Sequence, residues 1–243
     1  MSGISESWIG FDADDTLWHS ESYFVESAEL FAEIVAPYLV DADDPNTAAH
    51  DALLAVERVN VPSFGYGVKG ATISMIETAI SLSEGRIPAT ELLRLVERAK
   101  EVMHHPVELL PGALDALDAV SDHRLVLLTK GDLKHQHRKI DASTVAERFD
   151  AIEVLHEKDE RTYAAALARH RIDVDRFVMV GNSLRSDVLP ILGLGGWAVH
   201  VPYHTTWALE QADAPVHHPR FRRTDSLSSA AAVAAELVAS HLA

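Results

Sequence analysis

Short apolar, β-rich segments that alternate with helical segments constrain the fold of this chain most strongly. Such segments occur at residues 8–11, 124–129, 151–155, 176–180 and 197–201, and those after residue 111 are separated by helical stretches. A repeat of strand, helix, strand favours a parallel sheet, because parallel neighbours need a long crossover connection. We therefore predict an α/β fold in which helices cover a parallel sheet.

Residues 18–106 interrupt this alternation and contain only helical patterns. Apolar residues recur there at helical spacing in three stripes, which we interpret as the core of a helical bundle. The stripes are Phe24, Ala28, Phe31, Val35 and Tyr38; Ile73, Ile76 and Ile80; and Leu92, Val96, Ala99 and Met103. The predicted domains are a core formed by residues 1–17 and 107–243 and an inserted helical unit of residues 18–106. An Ala-rich closing helix is expected from Ser226.

Composition narrows the class of protein and its partners. The chain has 243 residues, of which 47% are hydrophobic, enough for one sizeable domain and an insertion. It has no Cys, which excludes disulfides, thiol nucleophiles and Cys-ligated metals. With no apolar leader and no apolar run of membrane-spanning length, we expect a cytoplasmic protein without a membrane partner. The net charge of −16 argues against nucleic acid as a partner. A monomer or a homodimer is expected.

Two carboxylates, Asp12 and Asp14, directly follow the first apolar segment. Residues two apart on an extended backbone point to the same side, so these acids would stand together where the strand ends. Carboxylates this close can bind Mg²⁺, or one can act as nucleophile and the other as acid or base. A solvated acidic turn is the alternative, because Asp is common in turns. Thr129 and Asp187 also end or closely follow predicted strands, where ligands of parallel sheets bind.

Four segments, in order along the chain, resemble the motifs of the haloacid dehalogenase (HAD) superfamily of phosphohydrolases. Residues 8–17 resemble motif I, an apolar strand followed by D-x-D-x-T-L. The strand that ends in Thr129 resembles motif II, and Lys158 resembles the motif III lysine. Residues 177–187 resemble motif IV, a strand followed by G-D-x-x-x-x-D. The resemblance implies a Rossmann-like core with helices on both faces of the sheet, and it makes residues 18–106 a helical C1 cap inserted between motifs I and II.

The resemblance also implies a role for each motif residue. Asp12 would be the nucleophile that forms an aspartyl-phosphate, and Asp14 would be the general acid and then the base. A neighbouring anion would raise the pKa of Asp14, so that its carboxyl is protonated part of the time. Thr129 would donate its hydroxyl to the phosphate together with N–H groups near Gly131. Lys158 would neutralise the phosphate and Asp12.

Mg²⁺ is the cofactor that the resemblance implies. Asp12, the backbone carbonyl of Asp14 and Asp187 would hold it, with waters completing the octahedron. Asn182 stands where the family usually has Asp, so one negative charge near the metal is missing. Because Asn can still accept a hydrogen bond from a metal-bound water, Asn182 is kept among the metal-site residues and weak metal affinity is expected.

Further candidates for substrate binding lie outside the four motifs. Lys130 flanks motif II, and residues 61–70 combine Phe64, Tyr66 and Lys69 with three glycines. Glycine lets the backbone approach a ligand closely, and the aromatic rings and the lysine could contact an anionic substrate. A turn between two helices with packed aromatic rings explains the same segment equally well.

The leading hypothesis is a Mg²⁺-dependent phosphatase that hydrolyses a small phosphomonoester, a phosphorylated metabolite, through an aspartyl-phosphate. A phosphomutase or phosphotransferase would pass the phosphoryl group to a sugar, and the sequence leaves this alternative open. A dehalogenase is disfavoured, because displacing halide from carbon needs neither Asp14 nor a metal. A non-catalytic binding protein is the remaining alternative, although drift of that kind should have altered Asp12, Asp14, Lys158 or Asp187, and all are present.

Overall fold

The computed structural model describes residues 6–241, apart from the side chain of His241. The chain divides into two compact units. The larger contains the residues up to His19 and those from Val107 onward, and the smaller is Ser20–Pro106. Among the described residues, no helix is both long and apolar enough to cross a membrane.

The larger unit is built on a parallel sheet. Six strands form it within the described residues: β1 (Trp8–Phe11), β2 (Arg124–Lys130), β3 (Ala151–Leu155), β4 (Phe177–Gly181), β5 (Trp197–His200) and β6 (Phe221–Arg223). Their spatial order is β3-β2-β1-β4-β5-β6, and every neighbouring pair is parallel. The predicted parallel α/β sheet is therefore confirmed. Strand β6 was not predicted, because three residues of which two are Arg are too short and too polar to show a strand pattern.

The smaller unit contains the helices α1 (Glu21–Val35), α2 (Pro45–Phe64), α3 (Val68–Leu82) and α4 (Ala89–His104). In the larger unit, helices cover both faces of the sheet. They are α5 (Ala113–Ala119), α6 (Leu133–Ala142), α7 (Glu160–Arg169), α8 (Leu189–Leu194) and α9 (Leu227–His241). Alternate strand residues point to opposite faces. Ile9 and Phe11 pack in one cluster with α5 and α9, whereas Trp8 packs on the other face with α7 and α8. The predicted two-sided arrangement is confirmed.

The carboxyl ends of the six parallel strands share one edge of the sheet, here called the carboxyl edge. Strand β1 lies between β2 and β4, and Phe11 is in register with Leu127 of β2 and Val180 of β4. Asp12, which follows β1, and the loop that follows β4 therefore emerge side by side. Ligands of such sheets bind where the strand order reverses, and β1 is at that point.

The smaller unit differs from prediction in which face of α3 is buried. Ile73 and Ile80 are 39% and 43% exposed, whereas Met75 and Ala79 are buried. The predicted core stripe is therefore wrong at Ile73 and Ile80. Polar residues fill the buried face instead: Ser74 and Thr78 donate their hydroxyls to the carbonyls of Gly70 and Ser74, at 3.0 and 2.7 Å. These bonds satisfy both hydroxyls within the helix, so they can be buried.

Residues 61–70 are largely helical. Helix α2 continues through Phe64 and α3 begins at Val68, so the connection is only Gly65–Gly67. A Cβ on Gly70 would lie 2.5 Å from the carbonyl oxygen of Gly65, so the first turn of α3 packs against the end of α2 only because residue 70 is glycine. Contact of Phe64, Tyr66 and Lys69 with a substrate stays a prediction.

We expect Gly10→Ala to lower the free energy of unfolding by about 2 kcal/mol, the usual scale of overpacking in a core. Gly10 is buried in β1, and an added Cβ would lie 2.8 Å from Phe177 Cε2 and 3.1 Å from Met179 Sδ. Urea denaturation of the two proteins measures the difference. An unchanged midpoint and slope would contradict the close packing of β1 against β4.

Candidate active site

A buried lysine joins two buried carboxylates at the carboxyl edge. Lys158 Nζ lies 2.5 Å from Asp12 Oδ1 and 2.6 Å from Asp187 Oδ1, and the three side chains are 2%, 8% and 1% exposed in that order. An isolated buried charge costs several kcal/mol, so each of these groups depends on the others. The fold thus brings together the predicted nucleophile, the predicted motif III lysine and a predicted metal ligand.

These three groups alter one another's ionisation. Burial, followed by the charge of Asp187, raises the pKa of Asp12 to about 7, and the Lys158 ammonium opposes this rise. Burial also disfavours the charged form of Lys158, but Asp12 and Asp187 outweigh it and raise the pKa of the ammonium well above its ordinary value. Lys158 is therefore a positive charge beside Asp12, the predicted nucleophile.

Thr16 and Asn182 connect the loop after β1 to the loop after β4. The Thr16 hydroxyl donates to Asp12 Oδ2 at 3.0 Å, and the backbone N–H of Asn182 donates to that hydroxyl at 3.1 Å. With its side-chain nitrogen turned inward, Asn182 donates to Asp12 Oδ2 and to the Asp14 backbone carbonyl, both at 3.2 Å. The Asn182 side chain thus reaches two of the oxygens that the sequence predicts as metal ligands. Sequence reasoning gave Thr16 no role beyond its place in the motif.

The loop after β4 fixes the Asp187 carboxylate from the side opposite Lys158. The backbone N–H of Ser183 donates to Asp187 Oδ2 at 2.9 Å, and the Ser183 hydroxyl accepts from the Ser186 N–H at 3.0 Å. A Cβ on Gly181 would clash with the Asp187 carboxylate. Gly181 is therefore required for Asp187 to fold back against the end of β4.

Asp14 is held by a different set of donors. Lys139 Nζ lies 2.5 Å from Oδ1 and 2.6 Å from Oδ2, Trp18 Nε1 donates to Oδ1 at 2.6 Å, and Gln136 Nε2 donates to Oδ2 at 2.8 Å. Burial opposes ionisation, but the Lys139 charge and these hydrogen bonds hold the pKa of Asp14 below its ordinary value. The predicted rise in the pKa of Asp14 is therefore wrong, because a lysine, and not an anion, dominates its surroundings.

Thr129 offers a hydroxyl without a partner. It is fully buried, and its Oγ1 has no hydrogen-bond partner among the residues that the structure describes. Buried polar groups are nearly always bonded, so this hydroxyl is free to bind a ligand. The N–H of Gly131 donates instead to the Leu155 carbonyl at 3.3 Å. At Gly131, where φ is +146°, a Cβ would lie 2.7 Å from Gln136 Nε2, so this glycine admits Gln136.

Lys130 belongs to a second, partly buried ionic cluster. Its Nζ lies 2.7 Å from Glu210 Oε1, 2.9 Å from Ser186 Oγ and 3.3 Å from Glu157 Oε1. Glu210 Oε2 accepts from the hydroxyls of Ser183 and Ser186, at 2.7 and 2.5 Å. Lys130 therefore supports the loop after β4, and the predicted contact with substrate would compete with these bonds. Glu210 was missed, because it lies in an irregular segment between β5 and β6 that carries no motif.

A family model for haloacid dehalogenase-like hydrolases matches residues 7–195, which include all four motif segments. The chain belongs to this family. A solved haloacid dehalogenase-like family hydrolase from Xanthomonas campestris is 42% identical, with a TM-score of 0.84, over 98% of this chain and 94% of that one. The predicted superfamily is thereby confirmed, and the protein is a hydrolase of this family.

More distant structures share the fold. A 2-haloacid dehalogenase from Pseudomonas syringae is 19% identical, with a TM-score of 0.61, over 95% of this chain and 99% of that one. A predicted phosphoglycolate phosphatase from Haemophilus somnus is 15% identical, with a TM-score of 0.57, over 94% and 97%. No protein of curated function matches. Structures with this fold are therefore named for two reactions, and the comparisons leave the reaction of this chain open.

The donors around Asp12 fit a magnesium ion. Within residues 6–241, no group of three or more His, Cys, Asp or Glu side chains could hold a metal. Mg²⁺, however, is usually bound by only one or two carboxylates together with waters and substrate phosphate. Asp12 and Asp187 already share one cation, Lys158, and the Asp14 carbonyl lies beside Asn182. These hard oxygens are the ligands that this family hydrolase would use for Mg²⁺.

We expect Lys130→Met to lower the free energy of unfolding by about 3 kcal/mol, because it leaves Glu210 buried without its cation. The two side chains are only 11% and 15% exposed, so solvent screens the pair weakly. Combined with Glu210→Gln, which keeps an acceptor for the two serine hydroxyls, Lys130→Met should cost less than the sum of the single changes. Urea denaturation of both single variants and the double variant measures this coupling, and strictly additive losses would contradict it.

Proposed function

We propose that the protein is a Mg²⁺-dependent phosphatase that hydrolyses a small phosphomonoester through an aspartyl-phosphate. Asp14 carries this proposal. This second, half-buried carboxylate lies two residues after the proposed nucleophile and is held by Lys139, Trp18 and Gln136. An alkoxide that leaves phosphorus needs a proton, whereas a halide that leaves carbon needs none. Because several donors hold Asp14 in place, a proton-transfer group is available there. This favours phosphate esters over haloacids as substrates.

The arrangement supports a two-step reaction. Asp12 attacks phosphorus, and its O–P bond forms as the bond to the leaving oxygen breaks. Asp14 gives that oxygen a proton, which it must first take up from water although Lys139 lowers its pKa. Water then attacks phosphorus, Asp14 takes its proton, and the Asp12 O–P bond breaks to release phosphate. Lys158 neutralises charge on the phosphoryl oxygens, and the free Thr129 hydroxyl donates to one of them. When bound, Mg²⁺ would add positive charge at the phosphoryl group and orient it.

We expect Asp12→Asn to lower kcat by roughly a thousandfold or more, as removal of a nucleophile does in other enzymes, because an amide cannot attack phosphorus. The measurement is release of inorganic phosphate from a panel of small phosphomonoesters in the presence of Mg²⁺. Asp122→Asn, the same change at an exposed position, is the matched control and should keep full activity.

Other outcomes of that panel would replace the proposal. Release of chloride from 2-chloropropionate without phosphate release would identify a dehalogenase. An isomerised sugar phosphate, or transfer to an added alcohol in place of water, would identify a mutase or a phosphotransferase.

We expect activity to disappear in EDTA and to return with Mg²⁺. Asp187→Ala should raise the Mg²⁺ concentration for half-maximal activity by roughly tenfold or more. Even loss of a group that only hydrogen-bonds to a metal ligand changes metal affinity by that factor. Titration calorimetry of Mg²⁺ into the wild-type and Asp187→Ala proteins measures the same change without turnover. Full activity in EDTA would contradict the metal assignment.

A further inference from the structure

The Asp14 carboxylate accepts more hydrogen bonds than its partial burial alone requires. Oδ1 accepts from Trp18 Nε1 and Lys139 Nζ, and Oδ2 accepts from Gln136 Nε2 and Lys139 Nζ. A carboxylate has about four lone-pair positions, so the chain itself fills all of them. Rotation about the Asp14 side-chain bonds would break several contacts together.

Two of the donors come from one face of α6. Gln136 and Lys139 are three residues apart on this helix, a spacing that places side chains next to each other. Gln136 is fixed from behind, since its Nε2 also donates to the Lys130 carbonyl at 2.7 Å. Helix α6 is itself held at its start, where Asp132 accepts the His135 N–H at 2.9 Å. The donors therefore belong to a rigid element.

Stability alone does not account for Lys139. Buried ion pairs contribute little net stability compared with well-packed apolar residues of the same size. Within residues 6–241, Asp14 is the carboxylate that the Lys139 ammonium contacts, and both side chains are largely buried. The contact joins a helix to the residue that the proposed reaction uses for proton transfer.

We propose that Lys139, with Gln136 beside it, is a positioning residue that fixes the Asp14 carboxyl for proton transfer to the leaving oxygen and from the attacking water. This inference rests on the proposed phosphatase function. Proton transfer requires the acid or base to lie within hydrogen-bond reach of the reacting oxygen, and orientation contributes much of the rate. One donor must yield when Asp14 transfers a proton, and the other contacts keep its orientation.

Lys139→Met is the test, because Met keeps the length of the side chain and removes the ammonium. With an alkyl phosphate that the wild type hydrolyses, kcat/KM should fall by roughly tenfold to a hundredfold, part of the contribution of a positioned acid. With p-nitrophenyl phosphate, whose leaving group departs without a proton, kcat/KM should change by less than about threefold. Release of p-nitrophenol should then show a burst, because hydrolysis of the aspartyl-phosphate still needs Asp14 as base.

Matched variants separate positioning from folding. Lys134→Met makes the same change at an exposed lysine of α6 and should behave as wild type on both esters. Gln136→Met should lower kcat/KM for the alkyl phosphate, but by less than Lys139→Met, and should leave kcat/KM for p-nitrophenyl phosphate nearly unchanged. It replaces Lys139→Met as the test if that variant does not fold. If Lys139 acts through Asp14, the double variant Lys139→Met/Asp14→Asn should lose no more activity than Asp14→Asn alone.

Equal losses of kcat/KM on the two esters without a burst would overturn the inference and leave Lys139 a structural residue. Losses that multiply in the double variant, or wild-type behaviour of Lys139→Met, would also overturn it while the phosphatase assignment stands. Failure of the wild type to release phosphate from any ester would instead remove the proposed function, and this inference with it.

Discussion

The contact of one ammonium, that of Lys158, with the carboxylates of Asp12 and Asp187 organises the carboxyl edge of the sheet. Two carboxylates that close together repel each other strongly when water is excluded, and neither could stay ionised in that position without a cation. Because Asp12 follows β1, Lys158 follows β3 and Asp187 follows β4, the shared ammonium also ties three loops together. The Thr16 hydroxyl, which bonds to Asp12 Oδ2 and to the Asn182 N–H, connects two of these loops as well.

Three lysines at the carboxyl edge each contact one or more carboxylates. Lys158, Lys139 and Lys130 are largely buried, and each contacts carboxylates of the larger unit. The whole chain carries a net charge of −16, so an anionic substrate meets a repulsive field at long range. Each of the three lysines contacts at least one carboxylate, so its positive charge is balanced within its own cluster. Each lysine makes a distinct contact: Lys158 lies between Asp12 and Asp187, Lys139 holds Asp14, and Lys130 supports the loop after β4.

The opposite pKa shifts of Asp12 and Asp14 follow from the groups that each one contacts. Burial and a second carboxylate raise the pKa of Asp12, while Lys139 and two further donors lower that of Asp14. Two acids two residues apart in the chain thus acquire opposite pKa shifts, because their surroundings differ. A solved 2-haloacid dehalogenase and a predicted phosphoglycolate phosphatase share the fold, which leaves both reactions open, and the donors around Asp14 are the reason for the phosphatase proposal.

The sequence by itself determined the elements that depend on local patterns. Alternating apolar and helical segments predicted the parallel sheet, and the residues after the strands predicted Asp12, Thr129 and Asp187, because periodicity is a property of neighbouring residues. Lys158 was predicted only by the order of the motifs that the chain shares with its family. The tertiary structure decided what depends on partners distant in the chain. Lys139 and Gln136 meet Asp14 across 125 and 122 residues, and no local pattern marks such a pair. The buried face of α3 and the short strand β6 were likewise settled by packing, since the surrounding elements determine which residues are covered.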